Sequence, residues 1–183
     1  MKIKIFQKGG ERRDARITKI ITWLGRQLMS TRMNNILTIR VEMRASTLKG
    51  SNGSVFQALN GSATKGAGDW RNKRAFKIVV KRDVADMDLV RILAHEMVHV
   101  RQIATRQLAY RYIKTTKTWR KTWMGVDHSS TTYSSQPWEV EAYGLDEGLA
   151  RGFINRNVVA HTALDTSNNL AFLLTAAPVT RKV

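Results

Sequence analysis

At 183 residues and 43% hydrophobic side chains, the chain is long enough for one domain with a buried core, and it holds no apolar run of about 18 residues that would span a membrane. The absence of cysteine excludes disulfides and cysteine-ligated zinc. A formal net charge of +17 predicts a polyanionic neighbour, because so basic a surface draws phosphate polymers through counterion release.

The chain opens with Ile3 and Ile5 between lysines, a short strand ended by Gly9-Gly10. This apolar start is too brief and too soon charged for a signal peptide, so a cytoplasmic location is expected. Asp14 is the expected cap of a helix reaching about Met33, with Ile17, Ile20, Ile21, Leu24 and Leu28 on one face. Leu37, Ile39, Val41 and Met43 alternate with Thr38, Arg40 and Glu42, the pattern of a half-buried strand. Residues 50–68 hold five glycines and read as loop, with a short strand at Val55–Leu59. Phe76, Ile78 and Val80 mark another strand, whose Lys77 and Lys81 suggest a sheet edge. A helix follows, capped by Asp83 or Asp86, with Leu89, Leu93, Met97, Val100, Ala104 and Leu108 as its apolar stripe. Helical fragments and loop are expected from there to 135. Pro137 then stands at the first turn of a helix to about Arg151, and residues 162–175 form a separate last helix. No repeat or linker divides the chain, so one domain covers 1–183.

The chemistry concentrates at His95-Glu96-Met97-Val98-His99. On a helix, positions four apart return to within about 40° of each other, so both imidazoles leave one face and can converge on one ion. Glu96 is rotated by about 100° from His95, an awkward angle for a ligand but a good one for reaching a metal-activated water. A divalent zinc, Zn2+, lowers the pKa of such a water, and a carboxylate beside it can carry the proton to a leaving amine.

A catalytic zinc takes three protein ligands and keeps a fourth position open. Glu139, Glu141 and His128 are the downstream candidates, while His161 reads as an ordinary surface or cap residue. Glu139 lies in the first turn of a helix, where the dipole favours its ionised form. Two residues rotate a helix by about 200°, so Glu139 and Glu141 cannot both face the ion. His128 sits in a less rigid Gly/Asp/Ser-rich loop. Ala142, one turn after Glu139, is small enough for two helices to approach closely. Trp138 and Trp70 read either as site lining or as core and loop anchors, and neither is assigned a role.

His95-Glu96-Met97-Val98-His99 followed by Pro137-Trp138-Glu139-Val140-Glu141-Ala142-Tyr143 resembles the gluzincin branch of zinc metallopeptidases, in particular the minigluzincins and the SprT-like metallopeptidases of bacteria and phages. The resemblance covers about residues 74–150, leaving 152–183 as a C-terminal extension. It implies an α+β, zincin-like single domain in which a small mixed β-sheet packs on an active-site helix and a second, ligand-bearing helix. It also implies His95, His99 and Glu139 as zinc ligands, Glu96 as catalytic base and a peptide or protein as substrate. Relatives place Asp or Asn four residues after the ligand glutamate, where this chain has Tyr143. SprT-type enzymes proper take a third histidine close behind the first pair, and none follows His99 until His128. A peptide adding to the edge of the strand at 76–82 would bring its carbonyl to the zinc, with Tyr133, Tyr143 and His128 as candidate oxyanion donors.

The charge points to a second property. Between Met97 and Val126 lie Arg101, Arg106, Arg111, Lys114, Lys117, Arg120 and Lys121 and no acid, interleaved with Tyr110, Tyr112, Trp119 and Trp123. Rings among cations suit single-stranded DNA or RNA, with bases on the rings and phosphates on the cations. Cell-wall polyanions or an acidic protein would satisfy the charge alone. Two alternatives to a working peptidase follow. One is a basic nucleic-acid-binding protein whose zinc is structural or vestigial. The other is a latent protease whose tail, 152–183, crosses the cleft. Oligomeric state leaves no mark in the sequence.

Overall fold

The computed structural model describes residues 1–6, 11–44, 53–57, 74–82 and 84–175; for 53–57 and 158–175 it describes the backbone alone. The chain is mixed α+β. Strand β1 (Lys2–Phe6) leads to helices α1 (Glu11–Leu28) and α2 (Thr31–Ile36), then to β2 (Thr38–Arg44), β3 (Gly53–Gln57) and β4 (Ala75–Lys81). Helix α3 (Asp86–Ala104) precedes a second sheet of β5 (Leu108–Ile113), β6 (Thr118–Trp123) and β7 (Val126–Asp127). A short 3-10 turn at Tyr133–Ser135 leads into the long helix α4 (Pro137–Thr175).

The first sheet has the order β1-β2-β4-β3, with β1, β2 and β4 parallel and β3 antiparallel to β4. Parallel neighbours need a crossover, which α1 and α2 supply between β1 and β2. The register sets Ile39 beside Phe76, Val41 beside Ile78 and Met43 beside Val80, one apolar face. Helices α1 and α3 close over it with Ile17, Ile20, Ile21 and Leu24 and with Leu89, Leu93, Met97 and Val100, all fully buried. Each such side chain contributes about 1.5–3 kcal/mol of burial, so this core holds α3 firmly against the sheet.

Several sequence expectations are corrected. Helix α1 begins at Glu11 and ends at Leu28, so Asp14 lies within its first turn instead of capping it. The break before α2 is made by Ser30, whose side chain accepts from the Met33 amide, and by Asn34, which donates to the carbonyls of Gly25 and Met29 at 2.7 and 3.2 Å. Strand β4 is interior, not an edge, because Lys77 finds a partner across the sheet. Its Nζ is 2.8 Å from Glu42, which also takes Arg44 at 2.7 Å. The hydrogen bond from Lys77 lowers the Glu42 pKa against the opposing effect of burial. The third strand, expected at Val55–Leu59, is described over Gly53–Gln57, and residues 58–59 lie outside the described residues.

Ala85 occupies the α3 cap position and Asp86 is the first helical residue. Asp86 still favours the helix dipole and pairs with Arg16 of α1. The helix stops at Ala104, where Arg106 adopts a left-handed conformation (φ 63°), so Leu108 begins a strand instead of extending the stripe. Residues 108–127 form an antiparallel sheet, not helical fragments. Met124 and Gly125 both have positive φ, as a two-residue type I′ hairpin turn requires. Pro137 does open α4, but that helix runs unbroken to Thr175, replacing both the stop near Arg151 and the separate helix at 162–175. From Glu139 to its end at Thr175 the helix is about 54 Å long, and residues 176–183 of the C-terminal extension lie outside the described residues. Among the described residues no helix is long and apolar enough to cross a membrane. Trp70, Asp83 and the His161 side chain lie outside the described residues.

Gly25 gives a test of the α1–α2 joint. A Cβ there would lie 2.6 Å from Asn34 Oδ1 and 2.9 Å from Met1 Cε. Alanine in place of a mid-helix glycine ordinarily gains up to about 1 kcal/mol. Here Gly25→Ala is expected to lose about 1–2 kcal/mol in chemical denaturation, because it displaces the buried Asn34 that caps α1. A gain in stability would refute this packing.

Candidate metal centre

Helix α3 places His95 and His99 one turn apart, and α4 brings Glu139 over them. His95 Nε2 and His99 Nε2 are 3.1 Å apart, and Glu139 Oε2 lies 3.4 Å from the first and 3.5 Å from the second. Nitrogen and oxygen ligands about 2.0–2.1 Å from a tetrahedral ion are separated by about 3.3 Å. The three atoms thus form one face of such a tetrahedron, and these residues could hold a metal ion. It is the one such group among the described residues.

The rings are oriented from behind. Gln102 is fully buried, and its amide nitrogen donates to Trp138 O at 2.9 Å and to Glu141 Oε2 at 2.7 Å. Its oxygen therefore faces His99 Nδ1, 2.7 Å away, which must donate. That tautomer frees the Nε2 lone pair for an ion. His95 is backed by Asp146, which is 2% exposed. Asp146 Oδ2 lies 3.4 Å from His95 Nδ1, and Oδ1 accepts from Arg91 at 3.3 Å. The tilted ring of Tyr143 covers His95 at 4.6 Å between centroids.

Burial would raise the Glu139 pKa, but hydrogen bonds from His95, His99 and Tyr133 outweigh it and hold the carboxyl well below its usual range. For His99, burial opposes the charged form, and its hydrogen bonds with Glu139 and Gln102 reverse that and raise its pKa. Tyr110 is pushed up to about 12, first by burial and then by the Glu139 charge. Glu96 differs from all of these. It is 5% exposed, and its buried Oε2 has no hydrogen-bond partner. Burial raises its pKa to about 7, with the nearby histidines opposing and Glu139 assisting. A buried carboxylate oxygen without a donor, beside a converging ligand set, fits a site completed by an ion and its water.

The other candidates are sorted by the same geometry. Glu141 faces away from the ligands, pairing with Arg101 and Gln102. Arg101, in this pair, keeps 21% of its side chain exposed. His128 bonds Thr131 at 3.3 Å and packs edge-on to Trp138, outside the metal group. Tyr133 donates to Glu139 Oε2 at 2.8 Å and contacts the Tyr143 hydroxyl, and burial followed by the Glu139 bond raises its pKa. Trp138 is core, 1% exposed, and Ala142 is fully buried where α3 and α4 meet. The sequence reading missed Gln102 and Asp146. Gln102 had a signal, lying three residues after His99 on the same helix. Asp146 is seven residues, nearly two turns, beyond Glu139 and so on the same face of α4, in place of an acid one turn on.

No protein-family model, no curated protein and no solved structure matches this chain.

Two measurements test the centre. In zinc titration calorimetry, Glu139→Ala is expected to abolish tight binding. Gln102→Leu should weaken it about 10–100-fold by releasing the His99 ring, and Glu141→Ala should have the smallest effect. A larger loss for Glu141→Ala than for Glu139→Ala would move the ligand role. The second test is pH. The Glu96 carboxyl rises from 4.5 when unfolded to about 7 when folded, so its charged form disfavours the metal-free fold. Its contribution to stability is full below pH 4.5 and is lost as pH rises to 7, by up to about 3 kcal/mol. In chelator, the stability advantage of Glu96→Gln over wild type should grow from about pH 5 to about pH 8; a constant difference would show that Glu96 is not strained by burial.

Proposed function

We propose that this chain is a zinc-dependent metallopeptidase of the gluzincin type, with a zincin-like fold. One observation carries the reading: His95, His99 and Glu139 present three ligand atoms 3.1–3.5 Å apart, beside a buried glutamate with an unpartnered oxygen. Two imidazoles and one carboxylate are a donor set that zinc accepts with a fourth position left open, where it polarises a carbonyl and acidifies water.

The residues of the chain supply the rest. Glu96 takes the proton from the attacking water and delivers it to the amine nitrogen as the C–N bond breaks. Burial raises its pKa to about 7 in the metal-free protein, and a divalent cation beside it would lower it again and favour the proton-accepting form. Gln102 aims the His99 ring through a hydrogen bond, and Asp146 stands 3.4 Å behind His95 Nδ1, which makes no hydrogen bond. Tyr143, exposed at the rim over His95, is a candidate hydroxyl donor for a carbonyl oxygen that gains charge, and Tyr133 would have to release Glu139 Oε2 to serve as one. Strand β4 is interior, so among the described residues the edges of this sheet are β1 and β3, and β3, beside β4, is the one proposed to take a substrate peptide.

The test is hydrolysis of a fluorogenic protein substrate by the zinc-loaded chain. Glu96→Gln should bind zinc as the wild type does and lose about a hundredfold or more of the rate. Full activity in that variant, or a wild-type chain that binds no zinc, would overturn the proposal.

A further inference from the structure

The β5–β6 hairpin changes character along its length. Cross-strand partners share a face of a sheet, and on one face the pairs are Leu108 with Trp123, Tyr110 with Lys121 and Tyr112 with Trp119. The first pair is anchored in the body. Leu108 is 1% exposed, and the Trp123 ring lies 6.5 Å from that of Trp138. The last pair is uncovered. Tyr112 and Trp119 remain 45% and 44% exposed, although their rings sit 5.2 Å apart at 55°. A pair of large rings held in water contributes little to a core.

Cations surround these rings. Lys114 and Lys117 bound the connecting loop, and Lys121 stands on the same face two residues from Trp119. Lys117 is held at φ 54°, closing the loop tightly. Among the described residues, none of these three lysines has a carboxylate partner. Arg120, by contrast, points to the opposite face and is paired with Asp127 at 2.7 Å.

We propose that this face of the hairpin is a docking surface for single-stranded nucleic acid, with bases on Tyr112 and Trp119 and phosphates against Lys114, Lys117 and Lys121. Ring exposure and charge together select the occupant. An acidic peptide would use the lysines and leave the rings in water. A duplex hides its base faces. A second copy of a chain carrying +17 would be repelled. The surface is independent of the metal centre, so its test does not require the peptidase reading to hold.

The full chain is titrated into fluorescein-labelled oligo(dT) of about 15 nucleotides, reading anisotropy and tryptophan quenching. Binding should weaken as salt rises, and Lys114→Gln or Lys117→Gln should each make the logarithmic salt slope shallower by about 0.7. Tyr112→Ala with Trp119→Ala should cost about tenfold or more in affinity with the charge unchanged. Trp119→Phe, which keeps a stacking ring and the fold, should stay near wild type, while Trp119→Ser should not. Three results would overturn the proposal: no binding, ring replacements without effect, or polyglutamate competing as well as the oligonucleotide.

Discussion

The packing of α4 on α3 is the constraint on which the centre depends. A shared ion needs donors from two helices within about 3.3 Å of one another, and no single helix can supply three such atoms. Ala142, with no bulk beyond Cβ, lets the two helices approach where they meet. Gln102 then joins them chemically, bonding the His99 ring from one side and the Trp138 carbonyl and Glu141 from the other. A fault in this contact would move Glu139 and release the His99 tautomer together.

Electrostatics explains why the contact must be supported from elsewhere. The centre buries Glu96, His99, Gln102, Glu139 and Asp146 in a small volume. Each buried polar group costs free energy unless it is paired, and Glu96 Oε2 is unpaired. The apolar layer of Leu89, Leu93, Met97 and Val100 against β2, β4 and α1 offsets that cost. One helix thus serves two purposes: its inner face holds the fold, and its adjoining face holds groups that would not be stable on their own.

The second sheet extends this logic outward. Its inner end is fixed by Trp123 against Trp138, the residue just before Glu139. Its outer end carries exposed rings and lysines without a carboxylate partner among the described residues. A ligand held at the hairpin and a chain held at the metal would therefore sit on one continuous framework.

The helical part of the candidate metal site was legible along the chain, because helical geometry alone brings positions 95 and 99 to one face and swings 96 aside. Alternation likewise exposed β2 and β4, and the proline at 137 marked the start of α4. The second sheet was hidden, since Met124-Gly125 is not a usual hairpin turn and its strands carry cations where apolar residues would show a period. Strand order was hidden as well, because Lys77 looks like an edge residue until Glu42 is placed across from it. The sequence favoured Glu139 over Glu141 and His128 without deciding between them, and the placing of Gln102 and Asp146 behind the two rings belonged to tertiary structure alone. A sequence specifies angles around one helix, but the distance between two helices is set by how their faces pack, and metal ligation is decided by that distance.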